Sequence, residues 1–151
     1  MRAKITGTSH MYVSCNMYLM ALVELAFTSL TLAYPQPSVY VTYTAQYDNS
    51  SVSVDTLSCG SVLSSEGYTT YGSIPRYPYV AGYYGENTTC GQCYSLNYES
   101  TYLTVQVIDY YGGGFALPTE AYAWLTTGST DGPITGEGIT AYLADGPFNC
   151  N

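Results

Sequence analysis

The stretch CGQCY, residues 90–94, decides how the fold is held together, because its two cysteines predict covalent cross-links. The stretch YGSIPRYP, residues 71–78, precedes it, and VIDYYGGGF, residues 107–115, follows it. This last stretch ends an apolar strand on a carboxylate and continues into a glycine loop. Glycine lets a ligand approach the backbone closely, so the loop is where a barrel would place a ligand groove.

Residues 1–33 have the pattern of a secretory signal peptide, and residues 34–151 are expected to form one mature domain. Two basic residues precede a largely apolar run from residue 17 to residue 33. A membrane anchor is the alternative, but the run is short, Glu24 interrupts it and no basic cluster follows. We therefore expect a secreted, extracellular protein that can associate with the cell wall and has no membrane contact after cleavage.

Cleavage after residue 33 would leave ten of the eleven acidic residues, with Arg76 as the only base and no Lys or His. The resulting net charge near −9 repels nucleic acid and anionic surfaces, so we expect an uncharged partner. Without His and Lys, imidazole-dependent nucleophiles, His-containing zinc sites and Schiff bases are excluded. We expect no metal and no cofactor, and only carboxylates could act as general acid or base.

Four cysteines follow the leader: Cys59, Cys90, Cys93 and Cys150. An even count in an exported domain predicts two disulfides, for which sequence reasoning alone leaves three pairings open. A redox-active or metal-binding pair at Cys90 and Cys93 is the alternative. The alternating pattern of residues 94–98 indicates a strand after this pair, whereas a thioredoxin-like site would open a helix.

The rest of the chain predicts many short strands and one helix. The predicted strands are residues 40–47, 52–57, 68–74, 94–98 and 102–108, and residues 135–143 are predicted to form one or two more. Residues 82–89 and 112–114 are predicted loops, and a helix is predicted from Pro118 to Thr127. This mainly β pattern with one or two short helices predicts a small β-barrel.

Two Asn-x-Ser/Thr motifs lie in predicted loops. They begin at Asn49 and Asn87, which are therefore candidates for N-glycosylation.

The motifs, in this order, resemble the cerato-platanin family, small proteins secreted by filamentous fungi. The matching segments are residues 72–78, 90–94 and 105–109, followed by Gly114-Phe115 leading into the predicted helix. The resemblance extends over about residues 40–150. The chain departs from the family's usual residues at several positions, among them Thr44, Gly60, Tyr94 and Ala116.

The resemblance implies a six-stranded double-psi β-barrel related to expansins, as a single domain with two disulfides. It implies the pairings Cys59–Cys90 and Cys93–Cys150. It also implies chitin-type oligomers as ligand, wall loosening without hydrolysis, and an elicitor role through recognition at the plant surface.

Asp109 is the strongest candidate for a ligand-binding residue. Leu103, Val105 and Val107 share one side of the predicted strand, and Asp109 continues it, so its carboxylate should lie at the barrel mouth. The alternative is a structural role, in which the carboxylate caps amides of the glycine loop. The two roles are compatible.

Tyrosine is the second candidate binding group, because its ring can stack on a sugar while its hydroxyl forms hydrogen bonds. The chain has 19 tyrosines. Tyr71, Tyr94 and Tyr110 adjoin the family-like motifs, and with Gly113 they complete the predicted carbohydrate site. Tyrosine is also an ordinary strand residue, which is the alternative for each of them. Arg76 is expected to hold its own loop through an ion pair.

We therefore predict a secreted, non-catalytic protein that binds neutral polysaccharides or chitin oligomers, with expansin-like and elicitor roles. One alternative is a lytic glycosidase or transglycosylase that uses Asp109 as its acid. Hydrolysis normally needs a second carboxylate, and no motif marks Asp55, Glu120 or Asp145 as that partner. The other alternative is a surface-active structural protein of the wall.

Overall fold

The structure, a computed structural model, describes residues 36–85 and 88–150. The predicted signal peptide and the glycosylation candidate Asn87 lie outside these residues. Six strands are described: β1 (Ser38–Tyr43), β2 (Val80–Tyr83), β3 (Cys93–Tyr98), β4 (Thr101–Asp109), β5 (Phe115–Leu117) and β6 (Ile139–Phe148). The helices are α1 (Gly60–Ser65), α2 (Thr119–Thr127) and three 3₁₀ turns, Ala45–Tyr47, Val54–Thr56 and Tyr71–Ser73. In the described part of the chain, no helix is long and apolar enough to span a bilayer.

The six strands close into a barrel in the order β1-β5-β2-β4-β3-β6, with β6 pairing back to β1. Two neighbouring pairs, β1–β5 and β2–β4, are parallel, and the remaining pairs are antiparallel. This closed mixed barrel confirms the predicted fold class, a six-stranded double-psi β-barrel with short helices and two disulfides.

Two apolar clusters lie on opposite faces of the barrel wall. The first, the barrel core, contains Leu103, Val105 and Val107 of β4 together with Tyr122 and other residues of α2. The second, the side core, lies outside the wall. It packs Ile108 of β4 against α1 and the 3₁₀ turns. Because successive strand residues point to opposite faces, the apolar pattern of β4 supplies both clusters.

The two disulfides join Cys59 to Cys90 and Cys93 to Cys150, with Cα–Cα distances of 5.4 and 5.1 Å. These are the pairings that the resemblance implies. The first links the side core to the chain before β3, and the second ties the start of β3 to the segment after β6.

Two predicted strands are wrong, because residues 52–57 and 68–74 contain 3₁₀ turns. In the first segment the Ser53 hydroxyl accepts from the Asp55 amide. In the second, the Ser73 hydroxyl accepts from the amides of Thr69 and Thr70 at 3.0 and 3.1 Å. These local side-chain bonds satisfy backbone donors that a strand would pair with a neighbour. A single antiparallel bridge, from Ser53 to Thr70, is the one β contact between the two segments.

The predicted strands over residues 94–98 and 102–108 are confirmed as β3 and β4, and the predicted helix as α2. The first predicted strand ends at Tyr43, and the last continues to Phe148. The prediction missed β2, β5 and α1, which are 4, 3 and 6 residues long. Elements of this length carry too few residues for a hydrophobic period to be recognised.

The turn into β5 depends on Gly114, whose φ is +109°. A Cβ added there would meet the backbone oxygen of Tyr40. A side chain at this position would therefore separate β1 from β5, and glycine is required.

Candidate functional site

Asp109 ends β4 at the point where this strand pairs with Gly82 of β2. The residue is 8% exposed. Its Oδ1 accepts hydrogen bonds from the backbone N–H groups of Ser58 and Tyr110, both at 2.9 Å. Its Oδ2 accepts from the Tyr47 hydroxyl at 3.0 Å. Three donors of the protein itself therefore occupy this carboxylate.

These bonds support the structural role that was the alternative for Asp109, in which its carboxylate caps backbone amides. The amides that it binds are not those of the glycine loop. The carboxylate holds the amides of Ser58 and Tyr110 and none of the three glycine amides at residues 112–114 is among its partners. Burying an ionised carboxylate costs free energy unless it is hydrogen-bonded. Asp109 thus fastens the segment before α1 and the turn at Tyr47 to the end of β4.

Tyr47 is the buried partner of this carboxylate. Burial, and next the negative charge of Asp109, raise the pKa of Tyr47 above its ordinary value. The phenol therefore stays protonated and continues to donate to Asp109 over the neutral pH range. Glycoside hydrolysis normally uses two carboxyl groups, whereas the groups bonded to Asp109 are two amides and a phenol.

Two of the predicted sugar-stacking tyrosines are buried, which corrects that part of the prediction. Tyr71 is 1% exposed in the side core, and its hydroxyl lies 2.8 Å from the Thr56 hydroxyl. Tyr94 is 2% exposed in the barrel core and packs edge-on against Tyr83 and Phe115. Their ring faces contact protein, so neither can stack on a saccharide in this structure. The strand alternation that places Tyr94 beside Leu96 in the sequence pattern also directs both into the core.

Tyr110 and Gly113, in contrast, lie at the surface. They belong to what we call the tyrosine–glycine patch: Tyr84, Tyr110, Tyr111, Gly112 and Gly113. Tyr110 is 45% exposed, and its ring lies edge-on to that of Tyr84 with the centroids 5.6 Å apart. Gly113 is exposed next to the ring of Tyr111.

Sequence reasoning missed Tyr84 and Tyr111 as members of this patch. Each belongs to a Tyr-Tyr doublet, at residues 83–84 and 110–111. In the first doublet Tyr83 stacks on Phe115 inside the barrel, and Tyr84, the next residue, is 65% exposed. Because neighbouring residues of an extended chain face opposite ways, a doublet at a strand end predicts at least one exposed ring. In the second doublet both rings are exposed.

A separate cavity of about 310 Å³ lies beside the start of α2. Asp48, Glu120 and Asp131 line it together with Tyr77. The Asp48 carboxylate accepts from the backbone N–H and the hydroxyl of Thr119, at 2.7 and 2.6 Å, and so caps α2 from another segment. The three carboxylates make the cavity electronegative. Burial, and then the charges of Asp48 and Glu120, raise the pKa of Tyr77.

Arg76 and Asn49, two further residues singled out in the sequence, form hydrogen bonds within the protein. Arg76 donates through Nη2 to the backbone oxygen of Cys150 at 3.3 Å, so a carbonyl takes the place of the expected ion-pair partner. Asn49 lies exposed in a turn, where its Oδ1 accepts from the Ser51 amide at 3.0 Å. Among the described residues, no cluster of three or more His, Cys, Asp or Glu side chains could hold a metal ion.

Comparisons with known proteins identify relatives of this barrel. The family model described as Cerato-platanin matches residues 39–137. "Allergen Asp f 15" of Aspergillus fumigatus is 34% identical over 118 residues, covering 68% of this chain and 76% of that protein. The crystal structure of cerato-platanin 2 from M. perniciosa has a TM-score of 0.59 at 27% identity, covering 70% of this chain and 90% of the other.

The solution structure of the fungal elicitor Cerato-Platanin shares the fold, with a TM-score of 0.53 at 21% identity. It covers 71% of this chain and 92% of that protein. Because the family model spans most of the described barrel, from β1 to the segment before β6, the resemblance seen in the sequence is confirmed. The protein belongs to the cerato-platanin family.

Proposed function

We propose that this protein is a secreted, non-catalytic binder of uncharged wall polysaccharide, with chitin oligomers as its ligand class. The proposed binding surface is the tyrosine–glycine patch. The observation that carries the proposal is the exposure of three tyrosine rings beside two exposed glycines, at the same end of β4 where Asp109 fixes the backbone.

The chemistry of the patch suits a sugar. Aromatic faces contact the apolar faces of sugar rings, and phenol hydroxyls form hydrogen bonds with sugar hydroxyls. The glycines leave backbone amides accessible at close range. Asp109 holds the Tyr110 amide through its side chain, so this end of the patch is already ordered before a ligand arrives.

The charge of the chain indicates the same ligand class. With a net charge of −8 for the whole sequence, and without a Lys after residue 4, the protein offers little attraction to an anionic polymer. Binding that rests on ring contacts and neutral hydrogen bonds should depend only weakly on salt.

Expansin-like wall loosening and an elicitor role are further parts of the proposal, with plant surface receptors as partners and the extracellular wall as the location. Family membership supports them, and one protein that shares the fold is described as a fungal elicitor.

A titration with soluble chitin oligomers, followed residue by residue in NMR spectra, tests the proposal. We expect the amide signals of the patch to shift and Tyr110→Ala to weaken binding about tenfold, since a lost aromatic contact costs roughly 0.5–1.5 kcal/mol beyond its buried area. Trp124→Ala is the matched control, because Trp124 is an exposed aromatic residue on α2, 37% exposed.

Three outcomes would contradict the proposal. Equal effects of the two variants would remove the patch as the binding surface. Release of reducing ends from wall polymers by the wild type, abolished in Asp109→Asn, would favour the lytic alternative. Film formation at an air–water interface without any sugar binding would favour the surface-active alternative.

A further inference from the structure

A row of side chains crosses the outer face of the barrel at the end remote from the tyrosine–glycine patch. The strand register places Ser38 of β1, Tyr142 of β6, Asn97 of β3 and Tyr102 of β4 directly beside one another. We call these four residues the tyrosine row. Tyr142 and Tyr102 therefore stand on the same face with one amide between them.

Both tyrosines of the row are well exposed, Tyr142 at 52% and Tyr102 at 68%. Two strand spacings separate them, so their Cα atoms lie about 10 Å apart. This span is comparable with two linked sugar rings. Tyr40, 47% exposed, extends the same face from β1, one row further along.

The four residues of the row are uncharged, and polar groups in and beside it are held by bonds within the barrel. The Asn97 side-chain N–H donates to the backbone oxygen of Thr101 at 3.2 Å. In the neighbouring row, the hydroxyls of Ser95 and Thr104 bond to each other at 3.0 Å. The exposed carboxylates nearest in the register, Glu99 of the β3–β4 turn and Asp145 of β6, flank the row on its two sides.

We propose that the tyrosine row is a second carbohydrate-binding surface, which receives an uncharged, extended glycan chain running across β6, β3 and β4. Two exposed rings supply the stacking faces, and the amide between them supplies hydrogen bonding to sugar hydroxyls. In a chain with a net charge of −8, an uncharged aromatic face is suited to a partner that is itself uncharged.

A second copy of the protein could in principle bind the tyrosine row instead of a glycan. The exposed area of the row is too small for such an interface. A specific interface buries at least about 1,000 Å² in total, around an apolar centre. Three tyrosines that are each about half exposed supply only a fraction of that area, and the centre of the row is an amide. The row thus fits a narrow polymer better than a protein.

The position of the row gives it a role distinct from the patch. Tyr102 lies near the start of β4 and Tyr110 follows its end, so a rise of about 3.3 Å per residue separates them by roughly 25 Å. A short oligomer cannot contact both surfaces at once. This second step rests on the proposed function: occupation of both surfaces would raise the apparent affinity for polymer above that for oligomers.

The test measures partition of the full-length mature protein onto insoluble chitin particles. We expect Tyr102→Ser combined with Tyr142→Ser to weaken partition about tenfold, from two lost ring contacts. The double variant Tyr102→Phe with Tyr142→Phe keeps both rings and should retain partition. Oligomer-induced NMR shifts at the tyrosine–glycine patch should be unchanged in both variants, so failure of one site is distinguishable from failure of the other.

Footprinting of the wild type tests the proposal without a variant, so the result does not depend on whether a variant folds. Nitration with tetranitromethane, read by mass spectrometry, should modify Tyr102 and Tyr142 in free protein, and chitin particles should shield both. Full nitration of both residues on the particles would overturn the proposal. So would a concentration-dependent dimer in the wild type that the serine variant abolishes, because a second copy would then be the occupant.

Discussion

The carboxylate of Asp109 bonds to residues that lie 51 and 62 positions earlier in the chain, Ser58 and Tyr47. The third bond goes to the amide of the next residue, Tyr110. One buried side chain thus joins the side core, the end of β4 and the start of the tyrosine–glycine patch. Its removal should therefore affect the fold before it affects a ligand.

We predict that Asp109→Ala lowers the free energy of unfolding by about 3 kcal/mol. Hydrogen bonds to a charged group contribute roughly 1.5–3 kcal/mol, and the substitution leaves two amides and a phenol without their acceptor. Denaturant unfolding monitored by circular dichroism measures the loss.

Asp109→Asn is the control for this substitution. The amide oxygen can still accept from Ser58 and Tyr110, and the Tyr47 hydroxyl can rotate to accept instead of donate. Its destabilisation should be about 1 kcal/mol. An alanine variant of unchanged stability with at least tenfold weaker oligosaccharide binding would instead return Asp109 to the role of a ligand-binding residue.

Alkaline pH should destabilise the protein through its buried and partly buried phenols. Burial is the main cause that raises the pKa values of Tyr47, Tyr83 and Tyr122 above the ordinary value of 10.0. A raised pKa means that this stabilisation is fully present below pH 10 and is lost as pH rises toward the pKa of the folded state, because the unfolded chain releases its protons first.

Two measurements check this expectation. Unfolding free energy should fall with increasing pH above about 10, and tyrosinate absorbance should rise in a late, cooperative step that coincides with unfolding. Tyr47→Phe should show a shallower fall, since one of the buried titrating groups is absent. A smooth titration of every tyrosine near pH 10 in a folded protein would contradict the burial described for Tyr47.

The tyrosines also show what the sequence can predict about the site. Its position after β4 follows from the strand pattern and the glycines, and Tyr110 and Gly113 lie there at the surface. Whether a given tyrosine faces core or solvent depends on the register of its strand and on partners far along the chain. Tyr71 and Tyr94 adjoin recognisable motifs, yet tertiary packing buries both.

Helix α2 depends on a residue from outside its own segment. It begins at Thr119, after Pro118, which provides no side-chain cap. Asp48 supplies the missing acceptor to the Thr119 amide.

We predict that Asp48→Ala destabilises the fold by about 1 kcal/mol, the usual effect of losing an N-cap acceptor. Asp48→Asn retains an acceptor oxygen and should lose less. Asp131→Ala, which removes another carboxylate of the same cavity, is the matched control and should leave stability nearly unchanged. Thermal unfolding of the three variants compares them, and equal shifts would show that charge in the cavity, rather than the cap, is what matters.

Strands in which apolar residues alternate over several positions were predictable from the sequence, and short strands were not. Strands β3 and β4 are 6 and 9 residues long. The alternation of their residues 94–98 and 103–107 is long enough to define a strand and its inner face. β2 and β5 are neighbours, and together they fill the space between the longer strands β1 and β4, which is information held by the whole barrel. The 3₁₀ turn at Val54–Thr56 has β-forming residues, but the Ser53 side chain satisfies its backbone locally.

At the scale of the whole molecule, the disulfides close loops with sequence separations of 31 and 57 residues. The chain-entropy relation assigns them about 3.5 and 4 kcal/mol of stabilisation. We predict that Cys93→Ser with Cys150→Ser costs slightly more stability than Cys59→Ser with Cys90→Ser, as measured by guanidinium unfolding.

The mature wild type should contain no free thiol. Its intact mass should not change after treatment of the native protein with an alkylating reagent. Incorporation of two alkyl groups would contradict one of the two disulfides.

The order of the strands around the barrel also governs when the chain can fold. β1, the earliest strand described, pairs with β5 and β6, so neither of its edges is covered until residues beyond 114 are present. A nascent chain that lacks β6 leaves both β1 and β3 with an open edge. Contacts so distant in sequence make folding slow. Barrel closure is therefore a late event, because both open edges wait for the last strand.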